Sequence, residues 1–268
     1  MGKVNDLILV PTDFSEVCNN AMEQAAQAAK HFNYKLALLH VLDKNSPSRL
    51  EVETKLANMA MELTNKYGID VETFVEEGDI FTVIPAKAES LGARLMFLGT
   101  HGKTGFQKLT GSYALRIITA SPCPVIVTQK RPFKDGYKKI VLPITSDAGP
   151  VEKTKWTIFF AKKFQAEVHI VHPPKNELIG VIRMLTQNFA LAEIPYMVHP
   201  VTGNFTEEVM DVATSIDADL IVIMTKPGKG VTDFIFGRYD EEIIFNKSQI
   251  PVMCINPRPY NWEKIFDF

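Results

Sequence analysis

The stretch Arg94-Leu-Met-Phe-Leu-Gly99-Thr100-His101-Gly102-Lys-Thr-Gly105, followed by Gly111-Ser112, holds the residues best spaced for chemistry. An apolar run ends in glycines, and a Gly-Ser pair then opens a segment of helical character. Strand, glycine-rich loop and helix start, in that order, aim backbone N–H groups at a phosphate. Glycine lets a backbone approach an anion closely and adopt positive φ. Gly102-Lys103-Thr104 looks like the end of a P-loop, but that motif needs a glycine five positions before Gly102, where Phe97 stands. A G-x-G-x-x-G dinucleotide fingerprint fails too, because Gly99, Gly102, Gly105 and Gly111 have the wrong spacing. What remains is G-x2-G-x8-G-S. It fits anion binding, and it fits equally a turn that only lets strand and helix pack closely.

Other reactive side chains are scattered. His40 reads as a strand-end core residue rather than a general base. His101 sits in the glycine loop, where it either touches a phosphate or shapes the loop. Ser112 near His101 is no triad, since no orienting carboxylate is evident. Asp13 alone is a weak case for Mg²⁺. His169 and His172 fall on or beside one strand and face opposite sides, which makes them poor joint metal ligands. No His-Glu-x-x-His or Cys-x-x-Cys pattern occurs.

The chain repeats itself. Ile8-Leu-Val-Pro11-Thr12 recurs as Ile140-Val-Leu-Pro143-Ile144, Gly78-Asp79 as Gly203-Asn204, and Ala93-Arg94-Leu95 as Ala218-Asp219-Leu220. Thr100 finds Thr225, Gly111 finds Gly237, and Cys123-Pro-Val-Ile126 finds Ile250-Pro-Val-Met253. One repeat of this length indicates duplicated domains, since solenoid units run ~20–50 residues. The expected domains are 1–132 and 137–268, joined through the charged, Pro- and Gly-bearing segment Lys130–Tyr137.

Each half alternates strand and helix. In the first, strands are expected at Leu7–Val10, Leu36–Leu42, Val71–Val75, Leu95–Leu98 and Val125–Val127. Ser15 is a suitable N-cap for a helix with Cys18, Ala21, Met22, Ala25, Ala28, Ala29 and Phe32 on one face. A second helix spans Leu50 to Tyr67 and stops at Gly68. A third spans Asp79 to Leu91, with a kink expected at Pro85. The last covers Gly111 to Ala120. In the second half, strands are expected near Ile140–Leu142, Val168–Val171, Tyr196–Val198, Leu220–Ile223 and Val252–Ile255. Helices fall near Val151–Phe164, Glu177–Leu191, Thr206–Ser215 and Asp240–Asn246. Repeated strand–helix–strand units give parallel sheets covered by helices on both faces. Ligands of such sheets sit beyond the strand carboxyl ends where strand order reverses, so the Pro11-Thr12-Asp13 loop and the Gly99 loop can converge.

Pro11-Thr12-Asp13-Phe14-Ser15, Leu39-His40-Val41, Gly99-Thr-His-Gly102 with Gly111-Ser112, and Pro122-Cys-Pro-Val125 resemble the universal stress protein family. The resemblance runs along nearly the whole chain as a tandem pair, stronger in the first half. It implies an α/β fold of two tandem domains, each a five-stranded parallel sheet with helices on both faces, of the adenine nucleotide alpha hydrolase-like type. It also implies that the domains pair through their last strands as an intramolecular pseudo-dimer, with a homodimer of chains left open. Some members bind ATP or another adenine nucleotide and others do not. The binding pattern, carried to matching positions, comprises Pro11, Thr12, Asp13, Val41, Gly99, His101, Gly102, Gly111, Ser112 and Tyr113. Asp13 would recognise the adenine or ribose region, and the Val41 backbone the base. Gly99 and Gly102 would line ribose and phosphates, which Gly111 and Ser112 would cap. A carboxylate accepts hydrogen bonds, and a helix start offers N–H donors and a favourable dipole.

Two departures qualify the carry-over. Nucleotide-binding relatives usually place nine residues between the second glycine and the Gly-Ser pair, whereas Lys103 to Thr110 makes eight here. In the second half Thr145 or Ser146 stands where Asp13 does, Pro227 enters the loop, and Arg238 replaces the serine. Lys226, Lys229 and Arg238 either hold an anion or are ordinary surface charges.

A net charge of −2 and a pI of about 6.3 suggest neither a nucleic-acid footprint nor a membrane surface. No run reaches the ~20 apolar residues of a membrane span. The N-terminus leads almost at once into a strand, so no signal peptide is expected, and Asp6 fills the Ser/Thr position of a myristoylation pattern. Cys18, Cys123 and Cys254 lie in apolar contexts, as buried thiols do in a reducing cytoplasm. The methionines Met59, Met61, Met184 and Met210 read as packing residues. The aromatic tail Tyr260–Phe268 either tucks across the domains or marks a contact surface. A cytoplasmic nucleotide-binding regulator is therefore expected, with a slow ATPase and a ligand-free scaffold as the other classes.

Overall fold

Apolar runs alternate with apolar-periodic segments, and in the computed structural model this alternation builds two units, one from residues up to 133 and one from 134–258. Residues 5–44, 46–101, 111–134, 136–145, 150–227, 234–235 and 240–257 are described. Gly102, Gly105, Ser146, Lys229, Gly237, Arg238 and the aromatic tail lie outside them.

The first unit runs β1 (Leu7–Pro11), α1 (Glu16–Phe32), β2 (Lys35–Leu42), α2 (Arg49–Tyr67), β3 (Val71–Glu77), α3 (Ile80–Ser90), β4 (Leu95–Gly99), α4 (Gly111–Ala120) and β5 (Val125–Thr128). Its strands pair in parallel in the order β3-β2-β1-β4-β5. Strands β1 and β4 are buried along their whole length, as central strands covered on both faces must be. Helices α1 and α2 pack together, as do α3 and α4. Right-handed crossovers place the first pair on one face and the second on the other.

Helix α1 buries Cys18, Ala21, Met22, Ala25, Ala28, Ala29 and Phe32. Those small side chains let it lie close to the sheet. Ser15 occupies the N-cap position but makes no side-chain cap bond. Helix α2 starts on a capping box between Ser48 and Glu51 and stops at Gly68, whose φ is +69°. Helix α3 begins at Asp79, which accepts from the Phe81 N–H, and continues through Pro85 to Ser90. Met61 is no packing residue, being 58% exposed.

The second unit repeats the plan with β6 (Lys139–Pro143), α5 (Pro150–Phe164), β7 (Glu167–His172), α6 (Ile179–Leu191), β8 (Tyr196–Pro200), α7 (Phe205–Ser215) and β9 (Leu220–Met224). A short antiparallel pair, β10 (Lys226–Pro227) and β11 (Phe234–Ile235), follows, then α8 (Asp240–Ile244) and β12 (Val252–Ile255). The parallel order is β8-β7-β6-β9-β12. A one-turn 3₁₀ segment, Asn176–Leu178, precedes α6, and the two-residue strands β10 and β11 are too short to leave a periodic pattern in the sequence. The repeat is exact in register at the centre: Ile8 stands opposite Leu95 and Ile140 opposite Leu220. Asp79 and Asn204 cap equivalent helices with the same side-chain geometry.

Candidate functional site

Strand order in the first unit reverses between β1 and β4, so their carboxyl ends flank one crevice, the usual ligand position on such a sheet. Pro11 closes β1, and Thr12 and Asp13 follow it. Gly99 closes β4, followed by Thr100 and His101. Val41 lies half-buried near the end of β2, and Gly111 opens α4.

The loop after β1 is held by its own polar side chains. Thr12 N–H donates to Leu39 O at 2.8 Å, and the Thr12 hydroxyl accepts from Phe14 N–H at 3.0 Å. Asp13 Oδ1 accepts from Ser15 N–H at 2.9 Å. These local bonds hold Phe14 at a φ of 66°, a conformation uncommon for an aromatic residue. The Phe14 ring lies against His40 with centroids 4.6 Å apart, and Lys55 Nζ sits 4.1 Å from its centre. Buried His40 donates from Nδ1 to Thr12 O at 2.8 Å. It therefore pins the loop to β2.

Burial works against the Asp13 charge. Hydrogen bonding from Ser15 and Cys18 and the proximity of His101 outweigh it and hold the carboxyl below the usual range. Asp13 is thus a half-buried carboxylate at the mouth of the crevice. Burial, reinforced by that charge, pushes the neighbouring Cys18 thiol up to about 12, which leaves it unreactive. His101 Nε2 is buried with no hydrogen-bond partner. A buried polar nitrogen left this way calls for a ligand or water to complete it.

Gly99 follows the close-packing alternative read from the sequence, and the helix concerned is α1. A Cβ there would lie 2.5 Å from Val17 O and 2.8 Å from Cys18 N. The residue is glycine because the α1 backbone passes directly over the end of β4, and its φ is not positive. Tyr113 is exposed on the first turn of α4, edge-on to Phe81 with centroids 5.2 Å apart. Phe81 also carries Arg116 3.6 Å from its centre. The described residues bring together Pro11, Thr12, Asp13, Gly99 and His101 at the crevice. Val41 lies near the end of β2, the neighbour of β1, whereas Tyr113 packs on Phe81 of α3 and is not brought to the crevice by any contact among the described residues.

The matching position of the second unit has different chemistry. By register Met224 stands where Gly99 does, and exposed Thr145 follows β6. Lys153 of α5, which no local motif marks, donates from Nζ to Pro143 O at 2.6 Å. Burial draws its ammonium down to about 8, against the opposing pull of Asp240.

Among the described residues no three His, Cys, Asp or Glu groups could hold a metal. The three cysteines are unbonded and buried, and no helix is long and apolar enough to cross a membrane.

A model of the universal stress protein family matches residues 5–129. A universal stress protein of Methanocaldococcus jannaschii is 30% identical across 46% of this chain and 81% of its own length. A Staphylococcus aureus (strain USA300) relative is 32% identical across 46% of this chain and 82% of its own. The chain belongs to the universal stress protein family. In fold, a universal stress protein from Archaeoglobus fulgidus matches it with a TM-score of 0.79 at 21% identity, covering 95% of this chain and 99% of that one.

Proposed function

We propose that the protein is a stress-response regulator that binds an adenine nucleotide in its first unit, in the cytoplasm. Asp13 grips the nucleoside end, the Val41 backbone faces the base, and Gly99, His101, Gly102 and the α4 start with Gly111, Ser112 and Tyr113 surround the phosphates. The observation that carries this is the pairing of an ionised Asp13 with the buried, unpartnered His101 Nε2 at the switch point. A carboxylate and an uncompleted nitrogen at one crevice suit a ligand that offers hydroxyl donors at one end and acceptor oxygens at the other. Native mass spectrometry of the purified chain should show a copurifying adenine nucleotide. In calorimetry, Asp13→Ala should weaken ATP or AMP binding at least tenfold, and unchanged affinity would remove Asp13 from the site.

A ligand-free interaction scaffold is the second reading. It is favoured by Gly99, whose identity the α1 contact explains without any ligand. A chain that binds neither ATP nor AMP at millimolar concentration would select it. A turnover assay with and without Mg²⁺ separates both from a slow ATPase.

A further inference from the structure

We propose that the second unit carries an acid-sensitive latch: the hydrogen-bonded chain Glu167–His169–His199 fastens the edge strand β8 to β7, and protonation of both imidazoles releases it. His169 is buried on β7, and His199 is half-buried on β8. Their facing nitrogens, His169 Nδ1 and His199 Nε2, are 3.0 Å apart, and Glu167 Oε1 is 3.1 Å from His169 Nε2. The device is separate from the nucleotide crevice and does not rest on that reading.

The carboxylate fixes the tautomer. An ionised Glu167 only accepts, so His169 Nε2 carries the proton and His169 Nδ1 keeps its lone pair. His199 Nε2–H donates to that lone pair. A first added proton goes to His199 Nδ1, which lies outside the bond, and the chain stays closed. A second must go to His169 Nδ1, inside the bond. Two N–H groups then face each other with no acceptor between them, and two cationic rings stand with centroids 5.2 Å apart. The two imidazoles therefore titrate as a pair. Burial and the neighbouring His169 hold His199 below its ordinary value of 6.5, which places the opening on the acid side of that value. The unfolded strand binds both protons freely, so the latch loses stability as pH falls.

The other groups around the pair leave Glu167 as the charge that governs it. This face of the sheet lies against α7, because Lys139, in register with Glu167, donates from Nζ to Ile216 O at 2.9 Å beyond the end of that helix. The buried positions of α7 are Thr206, Val209 and Ala213, none of them charged. Its carboxylates Glu207 and Asp211 are exposed, and half-buried Glu208 accepts from Gly203 N–H at 3.2 Å. On β6, Val141 stands opposite His169. Among the described residues no lysine or arginine pairs with Glu167. His172 alternates to the opposite face, and its Nδ1 is engaged by Pro173 O.

Little else holds β8. It pairs with β7 alone, and Tyr196, Met197 and Val198 are 38%, 54% and 37% exposed. The ring of Tyr196 adds one contact, 6.3 Å from that of Phe189 in α6. Among the described residues the His199 bond is the one side-chain hydrogen bond that β8 makes. The matching edge of the first unit is tied in another way. Leu36 opposite Val71 and Val168 opposite Tyr196 are equivalent pairs, so Ala37 and Phe74 stand where His169 and His199 do. There Lys87 of α3 reaches over β3, 2.7 Å from Glu76 Oε1 and 4.1 Å from the centre of the Phe74 ring. That tie contains no imidazole. Acid therefore loosens the edge of the second unit, baring the outer backbone of β7, and leaves the edge of the first in place.

The test follows amide hydrogen exchange of the full chain at about pH 7.5 and about pH 5, a span across which imidazoles titrate. Protection factors are compared, which removes the pH dependence of intrinsic exchange. Protection of β8 should fall by about tenfold or more at the lower pH, and that of β3 should not. His199→Phe and His169→Ala import the first unit's own residues, and each should abolish the fall. Glu167→Gln removes the charge that favours imidazolium, so it should move the fall to lower pH. His172→Ala should leave it unchanged. Imidazole nitrogen NMR of the unaltered chain should show both rings protonated where β8 loses protection. Protection of β8 that is equal at both values, a fall that persists in His199→Phe, or two protonated rings with β8 still protected would overturn the proposal.

Discussion

The carboxyl ends of β1 and β6 occupy the same place in two copies of one fold, yet they carry opposite charge. Beyond β1 stand the Asp13 carboxylate and a glycine that admits the α1 backbone. Beyond β6, Lys153 reaches back from α5 to the last strand carbonyl, and Met224 replaces the glycine. The first crevice keeps a carboxylate and an uncompleted nitrogen facing inward. In the second, a side chain of the fold itself satisfies the strand end. The two copies therefore keep the register of central strands and the Asp79/Asn204 helix cap, while the loop chemistry differs.

The sharpest way to break this comparison is at Gly99. Gly99→Ala puts a Cβ 2.5 Å from Val17 O, where only backbone could yield. It should cost about 2–3 kcal/mol in urea unfolding. A neutral result would mean that α1 does not lie as close to β4 as the glycine implies. Met224→Ala, at the matching place, should cost less, since Met224 is only half-buried.

A second test is pH dependence. The Lys153 pKa falls from 10.5 unfolded to about 8 folded. The unfolded chain then binds more protons between those values, so stability rises with pH across that window. The penalty is fully present below about 8 and is relieved as pH approaches 10.5. Lys153→Met should remove this rise, measured as the difference between wild-type and variant unfolding curves. Equal slopes would show that the ammonium is better solvated than its contact with Pro143 O suggests. Asp13 gives a rise of the same sign at the acid end, there because a stabilising charge is gained rather than a penalty relieved. Its folded pKa lies below 3.8, so its contribution is present above that value and is lost as pH falls through the folded pKa. Asp13→Asn should therefore flatten the acid limb of the first unit.

The smallest expected effect is at Phe14. Phe14→Gly relieves a positive φ, worth about 1 kcal/mol, but loses the packing on His40 and Lys55. The two should offset each other to within about 1 kcal/mol. A large loss would identify the ring, rather than the turn, as what holds the loop.

Much of the fold was legible in the chain because its signals are local. Alanines at helical spacing marked the buried face of α1, Gly68 marked a helix end, and the paired Gly78-Asp79 and Gly203-Asn204 marked two equivalent caps. The Pro11-Thr12-Asp13 loop was legible as well, since short polar side chains bonding to their own backbone write turns directly into sequence. Ser15 shows the limit. The right residue stood at the N-cap, but its side chain makes no cap bond, and its own N–H is held by Asp13 Oδ1.

By itself the sequence determined the alternation of strand and helix, the duplication, and which loop bears a carboxylate. All of these depend on residues a few positions apart. Only the tertiary structure decided that Gly99 answers to Val17, that Lys153 answers to Pro143, and that His169 meets His199. Those contacts are set by strand register and helix approach between distant segments, which no local pattern of residues encodes.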